Sequence, residues 1–456
     1  MLSWTTGKNL VITIGGGSHE KEMTLKMQGL PAGYTINTNR IFEISDRRKP
    51  GKSPLSTPRK EADLPLLAKD DLLFPVQPET TITIPPSGIL EFVIKNENHN
   101  SKEYNLNVPR PGHADLPAFL KYRGSVNMAG GGPFSGRMTA MTAIAGAVAL
   151  ELLSYKNIEI GSEVLSVGKA VTDGQDFITP VSSGLTDIMK DEIKNAAKDH
   201  DSVGGIVSAY ARGLPAGIGG PGTDGIETTV SGLLFAIPAV KGVEFGNGFN
   251  SASMRGSENN DPIISFTDRK ISTETNNSGG ILGGMSTGMP LVVNVAFKPT
   301  PSVGKAQRTV MIDSGLPAEL KTDGRHDPCI VPRGRVVVEA ALATGLLDLM
   351  LEDKNNFPPL PEQDTCEKPS GLKELREKID SLDDEIIRLL NERMDISVKV
   401  AEYKKEMNIS VKDSGREDEI LNKAGKKYED IYREIFRASR KLQHEIKDGE
   451  YINKEK

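Results

Sequence analysis

All 28 prolines of the chain lie before Ser370; from there to Lys456 there is none. Proline inside a helix removes a hydrogen bond and clashes with the preceding turn, so this stretch alone is free to be helical throughout. Of 46 glycines only Gly371, Gly415, Gly425 and Gly449 remain in it. The segment just before, NNFPPLPEQDTCEKPSG (355–371), is proline-rich and polar and reads as a linker. The expected organisation is a body over 1–354, a linker over 355–371 and a tail over 372–456.

In the tail, Leu372, Leu375, Ile379, Leu382, Ile386, Leu389, Ile396, Val400 and Tyr403 recur at spacings of three and four. That pattern predicts one helix of roughly 35 residues with a coiled-coil-like seam. A break is expected at Ile409–Asp413. A second helix would start at Ser414, with Glu417 completing a capping box, and end at Gly425. A third would run from about Glu429 to Ile446. Two short helices cannot cover so long a stripe, so a dimer with interlocked helices is expected.

The body alternates short apolar runs with turn signals. Leu10–Ile14, Ile89–Ile94, Gly205–Ala209 and Pro290–Ala296 read as buried strands, and Met138–Leu153 and Val337–Leu351 as helices. The mix is α/β or α+β, and periodicity leaves the strand pairing open.

Composition removes several function classes. A net charge of -6 and a pI near 5.7 argue against nucleic acid as a partner. No apolar run approaches the roughly 18 residues of a membrane helix, and the N-terminus, MLSWTTGKNLVITIGGG, does not have the form of a signal peptide. Cys329 and Cys366 cannot build a disulfide framework, and no HxH or HxxxH pair favours zinc. A cytoplasmic location and no resident metal are expected.

The gap in the tail's seam is Arg393, which is costly on an apolar stripe unless it is paired or meets an anion. Lys404, at about 100° per residue, shares its face, while Arg376 points about a quarter turn away, toward a different helix. Asp413, Arg416 and Glu417 open the second helix, and Ser439 and Gln443 share a face of the third. A solvated charged bundle explains the other cations but not the place of Arg393.

LREKIDSLDDEIIRLLNER (375–393), VAEYK (400–404) and DSGRE (413–417) resemble the all-helical chorismate mutases, over Leu372 to about Ile446. The resemblance implies that Arg376 of a partner subunit, Arg393 and Arg416 hold the two carboxylates of chorismate. It implies that Lys404 and Gln443 contact the ether oxygen that breaks, and that Asp413, Glu417 and Ser439 line the rest, with Glu417 on the substrate hydroxyl. The chemistry is an intramolecular rearrangement. It needs a folded dianion and stabilised charge, not a nucleophile. A glutamine stays a donor at neutral pH.

In the body, GGGSHE (15–20), RPGHAD (110–115) and GRHDPC (324–329) each set a histidine in a turn. Such a histidine suits proton transfer, though each alone also reads as a structural turn residue. DRRKPGKS (46–53) and TPRKEAD (57–63) suit phosphate or carboxylate. GGGPFSGR (130–137) precedes an apolar helix as an anion cradle would.

With ARGLPAGIG (211–219), AVKGVEFGNGF (239–249), SGGILGG (278–284) and AFKPTPS (296–302), these blocks in this order resemble chorismate synthase over nearly all of 8–352. That resemblance implies an α+β, β-α-β sandwich fold and a homotetramer. It implies conversion of 5-enolpyruvylshikimate 3-phosphate to chorismate by 1,4-elimination of phosphate, with reduced FMN and no net redox. His19 would protonate the departing phosphate and His113 would sit at the flavin's N1 side. Asp327 would work with flavin N5 to remove the C6 proton. Arg48, Arg110 and Arg137 would hold phosphate and carboxylates. Ser135, Ala239, Gly283, Lys298, Pro299, Thr300, Pro301, Ser302 and Arg325 would line FMN. No nicotinamide-binding GxGxxG follows a strand, so an external flavin reductase is expected.

The sequence departs from the family pattern at several points. GESHG becomes GGSHE, with Gly17 for Glu and Glu20 for Gly; Glu20 is expected to raise the pKa of the neighbouring histidine. Pro54 replaces an arginine, Pro133 and Phe134 replace the Arg-Ser of GGGRSS, and Pro238 replaces an asparagine. Two rival readings treat the tail as a non-catalytic dimerisation or chorismate-sensing module, and the body as a degenerate flavin-binding scaffold. Chorismate consumption by the tail and FMN titration of the body separate them.

Overall fold

A computed structural model describes residues 2–51, 63–69, 72–96, 107–172, 184–267, 270–321, 327–358, 360, 372–407 and 409–448. They fall into two compact units, Met1–Gln363 and Asp364–Lys456.

The first unit holds two large antiparallel sheets. β1 (Ser3–Thr6), β2 (Val11–Gly16), β3 (Glu22–Gln28), β4 (Leu66–Lys69), β5 (Leu72–Pro75) and β6 (Ile89–Lys95) pair in the order β1-β2-β3-β6-β4-β5. β7 (Glu159–Val167), β8 (Ala170–Val171), β9 (Gly205–Arg212), β10 (Val240–Phe245) and β11 (Leu291–Phe297) pair in the order β8-β7-β9-β11-β10. β3 alternates as one buried face requires: Met23, Leu25 and Met27 point inward, with Thr24 and Lys26 between them. β11 is buried along most of its length, as its LVVNVAF run predicts.

Among the helices that accompany the sheets are α1 (Thr38–Arg48), α2 (Asp115–Tyr122), α3 (Thr139–Ser154), α4 (Ile226–Phe235) and α5 (Val331–Met350). α3 packs on β2 and β3, α5 packs on β7 and β9, and the two helices pack on each other. The helical layer is therefore enclosed between the sheets, the expected β-α-β sandwich. Both helices are apolar nearly all round, as burial on every side demands. Their contact is close: a Cβ on Gly146 would lie 2.1 Å from that of Ala340, so only glycine fits. At the far end of α5 the Asp348 carboxylate accepts from the backbone N–H groups of Asn9 at 2.6 Å and Leu10 at 2.7 Å, anchoring the start of β2.

Two expectations are corrected here. α5 begins at Val331, well before Val337, because Pro332 sits in its first turn, where a missing N–H costs nothing. The stretch Gly136–Ser154 is, by length and mean hydropathy of 1.3, apolar enough to cross a membrane, but 78% of it is buried inside the unit. Its alanines and glycine hid it from a search for bulky apolar runs.

The second unit is three helices: α6 (Leu372–Glu406), α7 (Ser414–Ala424) and α8 (Glu429–Asp448). α6 spans 35 residues, as the seam predicted. The expected Ser414 capping box is corrected: Asp413 is the cap, its carboxylate accepting from the Arg416 N–H at 3.1 Å. Gly425, at φ +73, ends α7. α8 packs on α6 and α7 and buries Phe436, Ser439, Gln443 and Ile446 on one stripe. The outer seam of α6 stays open to solvent: Leu389, Ile396 and Tyr403 are half or more exposed.

Candidate functional site

In the first unit, the residues singled out by sequence come from the ends of many elements. Arg48 ends α1, Arg110 and His113 precede α2, and Ser135 and Arg137 precede α3. Ala239 precedes β10, Lys298 to Ser302 follow β11, and Asp327 precedes α5. Together they line one cleft of about 960 Å³, from which only Pro299 of that segment is missing. Both central helices present their N-termini to it, through Thr139 and Gly334, so backbone dipoles add to the cationic walls.

His19 is buried in the turn between β2 and β3; it does not itself line the cleft but packs against Gly130, which does. Its Nδ1 lies 3.1 Å from Ser18 Oγ, which also bonds the carbonyls of Ala129 and Gly130 at 3.1 Å each. Gly130, Gly131 and Gly132 all have positive φ, a path open to glycine. A Cβ on Gly130 would meet His19 Cε1 at 2.1 Å, and one on Gly131 would meet His113 Nε2 at 3.2 Å. The two histidines thus flank one glycine turn.

His113 Nδ1 sits 2.7 Å from Asp115 Oδ1. Arg110 grips the same carboxylate through Nε at 2.7 Å and Nη2 at 2.8 Å. Burial pushes the Asp115 carboxyl up, but the hydrogen bonds and charges of Arg110 and His113 outweigh it and hold it well below the ordinary carboxylate range.

A second cluster faces it. The buried Asp63 carboxylate joins Arg48 to Arg137, accepting from Arg137 Nη1 at 2.8 Å. Asp327 is ion-paired with Arg333. Burial, and then the nearby Arg48 charge, lower Arg333 to about 10. Thr300 donates to the Asp327 carbonyl at 2.8 Å, and Lys298 Nζ donates to the Gly112 carbonyl, tying the segment after β11 to both loops.

The departures from the family pattern have a local logic. Glu20 N–H bonds the Gly17 carbonyl at 3.1 Å, so positions 17 and 20 are the ends of one turn. A Cβ on Gly17 would stand 3.1 Å from Glu20 Cγ. A side chain at position 17 would therefore crowd Glu20 and the Gly132–Pro133 backbone. Phe134 pairs with Tyr122 at a centroid distance of 6.5 Å, and both line the cleft as an apolar wall.

Gly283 is not brought to the cleft. It lies in the turn of a hairpin, Ile281–Leu282 with Met285–Ser286, beside exposed Leu282 and Met285. Arg325 and Pro54 lie outside the described residues. Asp63, Asn96, Asp115 and Arg333 join the site without an individual sequence signal. Asp115 and Asp63 stand within the motifs RPGHAD and TPRKEAD, whereas nothing in the sequence marks Asn96 or Arg333.

In the second unit, Arg393 Nη1 donates to Ser439 Oγ at 2.5 Å, and its guanidinium lies 5.7 Å from the Phe436 ring centre. Gln443 is buried, and its Oε1 has no protein partner. Lys404 Nζ donates to the Val411 carbonyl at 2.7 Å. Glu417 accepts from Arg440 Nη1, through both oxygens at 2.6 Å. Arg440 was missed because a single arginine in so charged a helix carries no sequence signal. Arg416 instead pairs with exposed Glu419 at 2.6 Å. The Arg376 side chain lies outside the described residues.

Two family models match separate stretches of the chain. The family model for chorismate synthase matches residues 10–351, and the one for chorismate mutase type II matches 375–444. A chorismate synthase of Thermococcus kodakarensis is 42% identical over 354 residues, covering 76% of this chain and 97% of that protein. One of Korarchaeum cryptofilum is 40% identical over 355 residues, covering 75% and 96%. A crystal structure of chorismate synthase superposes with a TM-score of 0.55 at 22% identity, covering 84% of this chain and 99% of that one, which is a likeness of fold.

Proposed function

The chain belongs to the chorismate synthase family and carries a chorismate mutase domain behind it, and we propose how its residues divide the two reactions. It is a bifunctional shikimate-pathway enzyme: one activity makes chorismate from 5-enolpyruvylshikimate 3-phosphate, the other rearranges chorismate to prephenate. In our reading residues 1–354 are the synthase, 355–371 the linker and 372–456 the mutase.

The observation that carries the synthase assignment is the cleft lined by His113 and by Arg48, Arg110, Arg137 and Arg333, each arginine paired with a carboxylate, with the buried His19 packed against Gly130 of its wall. Chorismate synthases use a flavin, and the cleft fits one. Its volume of about 960 Å³ exceeds what a small polyanion needs. Ile237, Val240 and Phe297 give it an apolar side, and Lys241 and Lys298 give it cations. We take the cofactor to be reduced FMN, held by Ser135, Ala239 and the Lys298–Ser302 segment, with Gly283 and Arg325 joining from elsewhere. When bound it supplies transient electron density to the substrate.

The chain's own residues do the rest. Arg48, Arg110 and Arg137 bind the phosphate and carboxylates. His19 gives a proton to the departing phosphate, and Asp327, held by Arg333, takes up the C6 proton. His113, oriented by Asp115, faces the cofactor. One proton and the phosphate leave the substrate, and no net redox change occurs.

In the mutase, Arg393, Arg416 and Arg376 of a second copy hold the carboxylates, and Lys404 and Gln443 meet the ether oxygen. Asp413, Glu417 and Ser439 complete the pocket. The exposed seam of α6 supports assembly through the tail, and the exposed Ile263, Ile264 and Phe266 support it through the body. We propose a homotetramer in the cytoplasm, supplied with reduced flavin by a separate reductase.

The test is anaerobic turnover of the intact chain with chemically reduced FMN. Phosphate release followed by prephenate is expected. A folded, FMN-loaded protein that releases no phosphate would sink the synthase half.

A further inference from the structure

Asp63 and Asn96 have no role in the chemistry above, yet both are buried behind it. Asp63 joins Arg48 to Arg137. Arg137 Nε donates to Asn96 Oδ1 at 2.6 Å. Asn96 Nδ2 donates to the carbonyls of Gly17 at 3.1 Å and Glu20 at 2.8 Å. Gly17 and Glu20 bracket Ser18 and His19, so an unbroken chain of hydrogen bonds runs from the two arginines to the turn that carries the histidine.

Two further features show that these side chains are placed rather than incidental. Asp63 has φ +46, a left-handed conformation unfavourable for a residue with a Cβ, which persists only where the surroundings hold it. Asn96 uses its one acceptor and both N–H donors at once, and it sits at the end of β6, the strand paired with β3. Its backbone N–H also bonds Lys21 at 3.0 Å.

We propose that Asp63 and Asn96 are positioning residues of the synthase reaction, which fix the anion-holding arginines in register with His19. The proposal rests on the roles given above to His19, Arg48 and Arg137. Asp63 sets the separation of two guanidiniums that would otherwise repel each other away from water. Asn96 transmits that position to the histidine turn. An aspartate at 96 could accept from Arg137 but would turn a carboxylate oxygen toward two carbonyls, with no hydrogen to offer either.

The experiment uses the intact chain with Asn96→Asp, Asn96→Ala and Asp63→Asn, scored by synthase kcat and KM. FMN affinity by flavin fluorescence and mutase turnover of the same preparation report integrity. Asn96→Asp is expected to lower kcat about tenfold or more with KM little changed, because the histidine moves and the arginines do not. Asp63→Asn is expected to raise the substrate KM more than it lowers kcat, because the arginines lose their anchor. Asn96→Ala should fall between Asn96→Asp and wild type. Wild-type kcat and KM in Asn96→Asp overturns the proposal, as does a parallel loss of kcat, KM and FMN affinity in all three variants, which marks a merely structural role. Should Asp63→Asn fail to fold, the Asn96 pair still decides. His19→Ala separates the two levels. If it keeps full turnover the site reading fails. If it is inactive while the Asn96 and Asp63 variants behave as wild type, only this proposal fails.

Discussion

The cations proposed to meet an anionic ligand are held differently in the two units. In the synthase, each cleft arginine is backed by a carboxylate: Arg48 and Arg137 by Asp63, Arg110 by Asp115, and Arg333 by Asp327. In the mutase, the half-buried Arg393 rests on the neutral Ser439 hydroxyl and the Phe436 ring and Lys404 rests on a backbone carbonyl, while the exposed Arg416 pairs with a carboxylate, Glu419. A backing carboxylate fixes a guanidinium precisely enough to aim it but cancels part of its charge. A neutral partner leaves the whole charge for the ligand but aims it less firmly. The elimination must place a phosphate against a proton donor, whereas the rearrangement must mainly compress a dianion. The two reactions thus favour different bargains between aim and charge.

That contrast can be broken, and the largest expected effect is in the tail. Arg393→Ala should lower mutase kcat/KM by about 10³-fold, because the uncancelled charge is lost outright, and leave synthase turnover unchanged. Full mutase activity in that variant, measured by chorismate loss, would remove the tail from catalysis. Next, His19→Ala should lower synthase turnover by about 10²-fold. Phosphate release at the wild-type rate would show that the histidine is only a turn residue.

A smaller effect is expected at Gly130, where an alanine would meet both a positive φ and His19 Cε1 at 2.1 Å. Gly130→Ala should cost the body about 1–3 kcal/mol in urea unfolding, with synthase activity falling and mutase activity kept. An unchanged midpoint with full synthase activity would mean that the glycine turn is not packed as described.

The smallest effect sharpens the contrast by pH. The folded-state pKa of Asp115 is depressed, so its pairing stabilises the body above its ordinary carboxylate value and is lost as pH falls toward the folded value. The stability gap between wild type and Asp115→Asn should therefore be full at pH 7 and shrink below about pH 4. A gap that stays constant down to pH 3 would show that the Arg110–Asp115–His113 contacts do not depend on the charge.

The tail was legible almost residue by residue. Helical spacing is a local property, so α6, the break and α8 could be read from the chain alone, and Arg393 stood out by interrupting its own seam. The cap moved by only one residue, to Asp413, because both Asp413 and Ser414 are good caps and only backbone geometry chooses between them. The body was legible in pieces. Its strands could be located, but the order β1-β2-β3-β6-β4-β5 joins segments far apart in sequence, and no period records it. Gly283 shows the limit from the other side: its motif is distinctive, yet a single chain leaves it away from the cleft.

By itself, then, the sequence determined the two families, the helical tail, the run of strands and the motifs that carry histidine, arginine and aspartate. Tertiary structure alone decided which carboxylate stands behind which arginine, that His19 and His113 share one glycine turn, and that Asn96 ties that turn to Arg137. The physical reason is the range of the forces. A repeat along the chain is set by neighbours a few residues away, whereas the burial and partner of a charge are set by whatever segment the fold brings against it. The seam that opens the tail could announce its exception, and the cleft could not announce Asp63.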